Sequence, residues 1–366
     1  MSGPLVTIGV PVYRGQDDLP VTLECLRTQT YQDLDVLISV DAGDQATAQA
    51  CAPFLQSDSR FRMQIQPSRL GWAGNTDWTM RGRRGAFYIF QQHDDQVSPS
   101  YVADLVEAAE RAPDAAICFA EIQYSGLRTM VQRGSPLLGT PIERATDYLH
   151  RLDTVPLRGL IRGSALASTS SLLLSDFDPF DSFGSELRLL AELALQGEFR
   201  FVPGPIYYKR MHGANLHLKR EEWSEHERQL RWACLGAWML EVLTPAGATP
   251  EQCRQLFDAV LARFLVPQID RWRWLRTPAR RLSFTQSRAL HPLRAALDRL
   301  RSSRRIVESA NTPWMLYEPA SPGDRTALLR MILERLEAGG RFDPSGGLQS
   351  TWQALEAQAA TRFGAR

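Results

Sequence analysis

The chain has 366 residues, enough for one large domain with an appendage or for two domains. Hydrophobic residues make up 44% and charged residues 23%, as in soluble globular proteins, and a net charge of +1 excludes whole-protein attraction to nucleic acid or to a membrane. The five cysteines (Cys25, Cys51, Cys118, Cys234, Cys253) form no Cys-x-x-Cys pair, which excludes a zinc ribbon or disulfide frame and predicts reduced, mostly buried thiols in a cytoplasmic protein.

Met1 to Pro4 leads straight into a strand pattern without the features of a signal peptide. No apolar run reaches the roughly 18 residues that a membrane span needs. Val6–Val10 is a β-branched run closed by Pro11, and Asp18–Gln29 has helical spacing through Leu19, Leu23 and Leu26. A strand over Leu34–Val40 ends on Asp41, and a helix over Gln45–Leu55 and a strand over Phe61–Gln66 follow. Arg69–Asn75 reads as a loop into a helix that runs through Arg84. Next come a strand over Ala86–Gln92, a helix over Ser98–Arg111 and a strand over Ala115–Glu121. Strands alternating with helices of this length predict a mostly parallel sheet with right-handed crossovers.

The strand over Ala86–Gln92 runs into His93, Asp94 and Asp95. Two adjacent carboxylates at the end of a buried strand are costly unless something cationic meets them, and that end of an open α/β sheet is where ligands bind. Two readings stand side by side: hard oxygen ligands for Mg²⁺ or Mn²⁺, or simple caps of the next helix. Asp41 can accept hydrogen bonds from a ribose hydroxyl or a base N–H, and Gly71 and Gly74 permit close backbone approach. There is no Gly-x-Gly-x-x-Gly after the first strand and no P-loop, which argues against dinucleotide oxidoreductases and P-loop NTPases.

The middle, Gln123–Thr169, is less regular and carries Arg128, Arg133, Arg144, Arg151, Arg158 and Arg162, most of which read as a solvated surface. Leu166–Leu174 reads as a strand, and Phe177–Ser185 as a loop that feeds a helix over Glu186–Gln196. Glu186 can be a dipole partner of that helix or a catalytic carboxylate. Short strands over Phe199–Val202 and Pro205–Tyr208 lead into a polar turn, Lys209–Asn215, in which His212 is either a ligand or merely hydrogen-bonded.

After Leu218 the pattern turns helical, with helices predicted over Glu221–Leu243, Pro250–Val266, Ser287–Ser303, Asp324–Leu336 and Leu348–Ala360. Residues 271–305 hold eleven arginines against one aspartate, and Trp272 and Trp274 are interleaved with the first of them. Such a stretch can be a solvated face or a peripheral contact with an anionic membrane, an acidic glycan or a partner protein. No recognised nucleic-acid motif accompanies it.

Taken in order across residues 5–217, these features resemble the family 2, GT-A-fold glycosyltransferases. Val10-Pro11-Val12-Tyr13 resembles the family's Pro-x-Tyr strand end beside the nucleotide, and Ser39-Val40-Asp41-Ala42-Gly43-Asp44 the segment whose aspartate receives the nucleobase. Arg69-Leu70-Gly71-Trp72-Ala73-Gly74-Asn75 is loosely similar to the Asn-x-Gly-x-x-x-Ala-x-Asn loop. Gln92-His93-Asp94-Asp95 falls where Asp-x-Asp falls, Ser185-Glu186-Leu187 where the general base stands, and Tyr207–His212 resembles the Tyr-Arg-x-His element.

The resemblance implies an α/β GT-A fold, a Rossmann-like nucleotide-diphosphosugar transferase with a mostly parallel central sheet. The catalytic domain would cover residues 1–218 and a helical domain 219–366. It implies an inverting, metal-dependent transfer of a sugar from a nucleoside diphosphate sugar, UDP favoured, to a saccharide or glycoconjugate hydroxyl. Glu186 would be the base, with Asp181 on the same loop as the alternative. Mn²⁺ or Mg²⁺ would be held by Asp94, Asp95 and His212. Pro11, Val12, Tyr13, Asp41, Arg69, Gly74, Asn75, His93 and Asp94 would line the donor site. The setting implied is polysaccharide biosynthesis in the cytoplasm or at the inner membrane face.

Three residues depart from the pattern: Gln92 replaces the first acid, Ala42 the second acid after the second strand, and Glu186 the commoner Asp. Two alternatives follow, a catalytically silent nucleotide-sugar-binding scaffold or a sugar nucleotidyltransferase. The second would want a Gly-rich, basic phosphate loop after the first strand, which Pro11–Gly15 does not supply.

Overall fold

The computed structural model describes residues 3–127, 129–170 and 184–212, scattered positions between 235 and 259, and the backbone of Ile306–Glu308. Asp181, Arg128, the basic stretch 271–305 and nearly all of the expected C-terminal helices lie outside the described residues.

Strands β1 (Val6–Val12), β2 (Leu34–Val40), β3 (Phe61–Ile65) and β4 (Phe87–Phe90) alternate with helices α1 (Leu19–Arg27), α2 (Gln45–Ser57) and α3 (Gly71–Arg81). They pair in parallel in the order β4-β1-β2-β3. Every residue of β1, β2 and β4 is buried, because helices cover both sheet faces and the strands read as continuous apolar runs. Next come β5 (Gln96–Val97), α4 (Tyr101–Arg111), β6 (Ala115–Gly126) and β7 (Met130–Arg133). The chain then passes through α5 (Pro141–Arg151), a 3-10 turn over Val155–Arg158, β8 (Leu160–Arg162) and α6 (Gly163–Ala167). Helix α7 (Ser185–Gln196) leads into β9 (Glu198–Met211). The fold is the expected α/β class with a mostly parallel, ten-stranded sheet that includes β10 (Ile306–Glu308), paired in parallel with β7.

Several expectations are corrected. Leu166–Thr169 is not strand, since Leu166 and Ala167 close α6 and the chain turns at Ser168, with residues 171–174 of that segment lying outside the described residues. Arg69–Asn75 is helix from Gly71 onward. The two short strands at 199–208 are one strand, β9, which bridges Pro203 and Pro205 and runs to Met211, so Lys209 and Arg210 are strand rather than turn. The "less regular" middle holds β7, α5 and β8, with α5 opened by a Thr140/Glu143 capping box. Strand β8 lies antiparallel between β4 and β6. Arg144 and Arg158 are buried rather than solvated, and Arg144 donates to the carbonyls of Ala194 and Leu195 at the end of α7.

One hydrophobic cluster runs from Val6 to Phe199 and Tyr207 and takes in Leu235, Met239, Leu243, Leu256 and Ala259. Gly184, at φ 78°, opens α7 in the left-handed region, and a Cβ there would strike Leu235. Among the described residues, no helix is long and apolar enough to cross a membrane.

Candidate active site

The loop after β4 is held from both sides. Gln91, fully buried, donates its amide to the carbonyls of Gln92 and Asp95, and the Thr22 hydroxyl of α1 donates to the carbonyls of His93 and Asp95. Strand β5 pairs antiparallel with β9, Gln96 opposite Tyr208 and Val97 opposite Tyr207. That pairing brings the end of β9 over the loop. His212, just past β9, places Nε2 2.7 Å from Asp94 Oδ2. Arg210 pairs with Asp18 at 2.5 Å, tying the same strand end to the start of α1.

Asp95 faces inward and is 1% exposed. Its Oδ2 accepts from the Tyr207 hydroxyl at 3.0 Å and its Oδ1 from the Arg210 amide at 2.9 Å. Burial pushes the Asp95 carboxyl up to about 6, against the nearby Lys209 charge, and Asp94 adds to the rise. The Tyr207 phenol is pushed well above its ordinary value by burial and by the Asp95 charge. Asp94 and Asp95 therefore do different work: Asp94 meets the imidazole just past β9, and Asp95 knits β9 to the loop.

Two cations stand beside them. Arg158, at the end of the 3-10 turn, donates through Nη2 to Gln92 Oε1 at 3.0 Å. Its guanidinium lies 5.8 Å from the centre of the Phe90 ring. Lys209 shares the inward-facing side of β9 with Tyr207 and Met211, and its Nζ lies 6.0 Å from the centre of the Tyr124 ring. Desolvation pushes the Lys209 ammonium down to about 8; Arg158 adds to this, and Asp95, Asp94 and Glu186 oppose it. Glu186, in the first turn of α7, is half-buried and lies within electrostatic reach of Lys209.

The other expected donor residues gather at the ends of β1 and β2. Asp41, 1% exposed, accepts from the backbone N–H of Leu70 at 2.6 Å and of Gly71 at 3.1 Å. Gly71, at φ 69°, is the turn that makes this possible, and Asp41 thus satisfies amides at the start of α3. Asn75 donates to the Ser39 carbonyl at 3.0 Å, while its buried Oδ1 has no hydrogen-bond partner among the described residues. Gly74 is buried inside α3. Two guanidinium groups lie against the Tyr13 ring, Arg69 at 4.3 Å and Arg14 at 5.1 Å from its centre. Arg14 is itself left-handed at φ 54°, with its amide given to Asp44 Oδ2 at 2.5 Å. Pro11 and Val12 are the last residues of β1, opposite Ser39 and Val40. His93 packs near Gly15, and burial lowers its pKa, against the charges of Asp94 and Asp18.

Residues 7–172, which carry β1 to α6 and the loop with Asp94, match the model of glycosyl transferase family 2. The chain carries a family 2 glycosyltransferase domain.

Three curated proteins show the range of its relatives. The putative glycosyltransferase EpsH of Bacillus subtilis is 27% identical over 118 residues, 32% of this chain and 34% of EpsH. The glycosyltransferase GlyA of Streptococcus pneumoniae is 26% identical over 100 residues, 27% of this chain and 14% of GlyA. The O-antigen biosynthesis protein RfbC of Myxococcus xanthus is 24% identical over 299 residues, 73% of this chain and 23% of RfbC. The chain thus spans about a third or less of these relatives. The S. aureus TarS 1-349 structure in complex with UDP-GlcNAc superposes with a TM-score of 0.55 at 12% identity, over 92% of each chain. That likeness is one of fold.

Among the described residues of the transferase domain, no three His, Cys, Asp or Glu side chains converge as metal ligands. The structure brings together Asp94 and His212, and keeps both oxygens of Asp95 on Tyr207 and Arg210. A cation bridging to substrate phosphates commonly needs only one or two protein carboxylates, so Asp94 with His212 fits that role. Arg158 and Lys209 were missed in the sequence. The one available signal was that Lys209 is one of two lysines, with Lys219, among 42 Lys and Arg residues.

Proposed function

We propose that this glycosyltransferase moves a sugar from a nucleoside diphosphate sugar to a hydroxyl of a saccharide or glycoconjugate acceptor, with inversion at the anomeric carbon. The observation that carries the reading is the Asp94–His212 contact at the carboxyl end of β4, where an α/β sheet presents ligands. Asp94 and His212 would hold Mn²⁺ or Mg²⁺, which when bound would neutralise charge on the leaving diphosphate.

The chain's own residues do the remainder. Tyr13, with Arg69 and Arg14 on its ring, and Asp41, fixed at the start of α3, face the nucleoside. Pro11, Val12, Gly74 and Asn75 shape the strand ends around it. Glu186 accepts the proton of the acceptor hydroxyl as its oxygen bonds to the anomeric carbon. The bond from that carbon to the diphosphate oxygen breaks on the opposite face, and its electron pair leaves with the diphosphate. One displacement with one base inverts the centre.

A second reading, nucleotide-sugar binding without transfer, is favoured by Gln92, whose Oε1 is given to Arg158 in place of an acid. Release of nucleoside diphosphate from UDP-, GDP- and dTDP-sugars with Mn²⁺ separates the two. Transfer predicts release from one donor class, reduced about 10²- to 10⁴-fold in Glu186→Gln with nucleotide affinity kept. Binding without release in the wild-type protein would favour the second reading. Undiminished release by Glu186→Gln would remove Glu186 as the base.

A further inference from the structure

Gln92 stands at the first-acid position of the loop, and its side-chain oxygen faces a guanidinium rather than a cleft awaiting a cation. Arg158 is 9% exposed, and its Nε has no hydrogen-bond acceptor among the described residues. Buried donors without acceptors are uncommon, and a charged one is costly. The ammonium of Lys209, a half-buried residue of β9, donates no side-chain hydrogen bond among the described residues, although Asp95, Asp94 and Glu186 lie within electrostatic reach. Asp94 is taken up with His212, and Asp95 with Tyr207 and the Arg210 amide. Two cationic groups, one planar and one compact, therefore stand side by side with donors unspent, next to the Asp94–His212 pair. Guanidinium and ammonium groups so placed match phosphate oxygens through charge-assisted hydrogen bonds.

We propose that Arg158 and Lys209 form a built-in cationic subsite for the donor's diphosphate, which holds the nucleotide whether or not a divalent ion is bound. The inference rests on the donor site proposed above and assigns it two residues. The subsite explains how the loop can do without an acid at position 92. Arg158 orients Gln92 and keeps a free N–H, and Lys209 brings a point charge from β9 across to the same place. As the bond to the anomeric carbon breaks, the charge that develops on the diphosphate meets side chains that need no reorganisation.

Calorimetry of the whole chain with UDP, GDP and dTDP and their nucleosides, each in EDTA and in Mn²⁺, tests this. One nucleoside diphosphate is expected to bind in EDTA. Lys209→Met weakens that binding about tenfold or more, a charged hydrogen bond's worth, and leaves the nucleoside's affinity unchanged. Lys209→Arg, which keeps the charge, restores most of the affinity. Diphosphate binding that vanishes in EDTA and returns with Mn²⁺ overturns the subsite and leaves the donor site standing. Equal loss of nucleoside and diphosphate affinity in Lys209→Met overturns it too, by making Lys209 a packing residue. An absence of binding to all three nucleotides in both buffers is a different failure, which removes the donor-site reading itself.

Discussion

His212 Nε2 lies 2.7 Å from Asp94 Oδ2, across 118 positions of sequence. The contact exists because β5, two residues long, pairs with β9 and carries the end of that strand over the loop after β4. Asp95 secures the same crossing through Tyr207 and the Arg210 amide.

If the pair is a metal site, Asp94→Asn and His212→Ala each lower Mn²⁺ affinity by about 10- to 100-fold or more. Mn²⁺ titration followed by electron paramagnetic resonance, with nucleotide present, measures it. Unchanged affinity in both variants would leave the contact as an ordinary hydrogen bond.

Lys209 also predicts a pH dependence. Its ammonium is lowered to about 8, so the free site loses this charge as pH rises through that value. A bound diphosphate favours the charged form and raises the pKa, so binding above pH 8 takes up a proton. Affinity in EDTA is therefore expected to fall between pH 8 and pH 9 in the wild-type protein. The fall should be absent in Lys209→Arg, whose charge persists. The same slope in both proteins would sink the assignment.

The sheet has its own charged anchor. Asp35 on β2 accepts from Arg62 Nε at 2.6 Å, from Arg62 Nη2 at 2.9 Å and from the Thr7 hydroxyl at 2.8 Å. Burial pushes this carboxyl up, but the hydrogen bonds of Arg62 and Thr7 and the charges of Arg62 and Arg84 outweigh it and hold it below its ordinary value of 3.8. A depressed folded pKa means stability that is present above the unfolded value and lost as pH falls through the folded one. Asp35→Asn should cost about 3 kcal/mol at pH 7, the order seen on breaking a buried pair. Urea unfolding should show the gap to wild type closing below about pH 4. A gap independent of pH would mean the pair acts through packing alone.

The first half of the fold was legible because its signals are local. Strands β1, β2 and β4 are buried on both faces and so read as apolar runs, and β2 was placed to the residue. Asp41 and Asp94 could be placed at strand ends for the same reason. The role proposed for Glu186 came from the resemblance alone, since an acid in a first helical turn has a purely local explanation.

What the amino-acid order determined by itself was the alternation of strand and helix, and with it the α/β class and the strand-end acids. Tertiary structure alone decided the second half: β8 threaded antiparallel between β4 and β6, β9 paired along β6, and Arg158 turned inward onto Gln92. Periodicity within a window reports which face of an element is apolar. It carries no record of which distant strand will satisfy the backbone, or of which arginine will be buried when that strand arrives. Here that pairing brings Lys209 and His212 to the loop that holds Asp94.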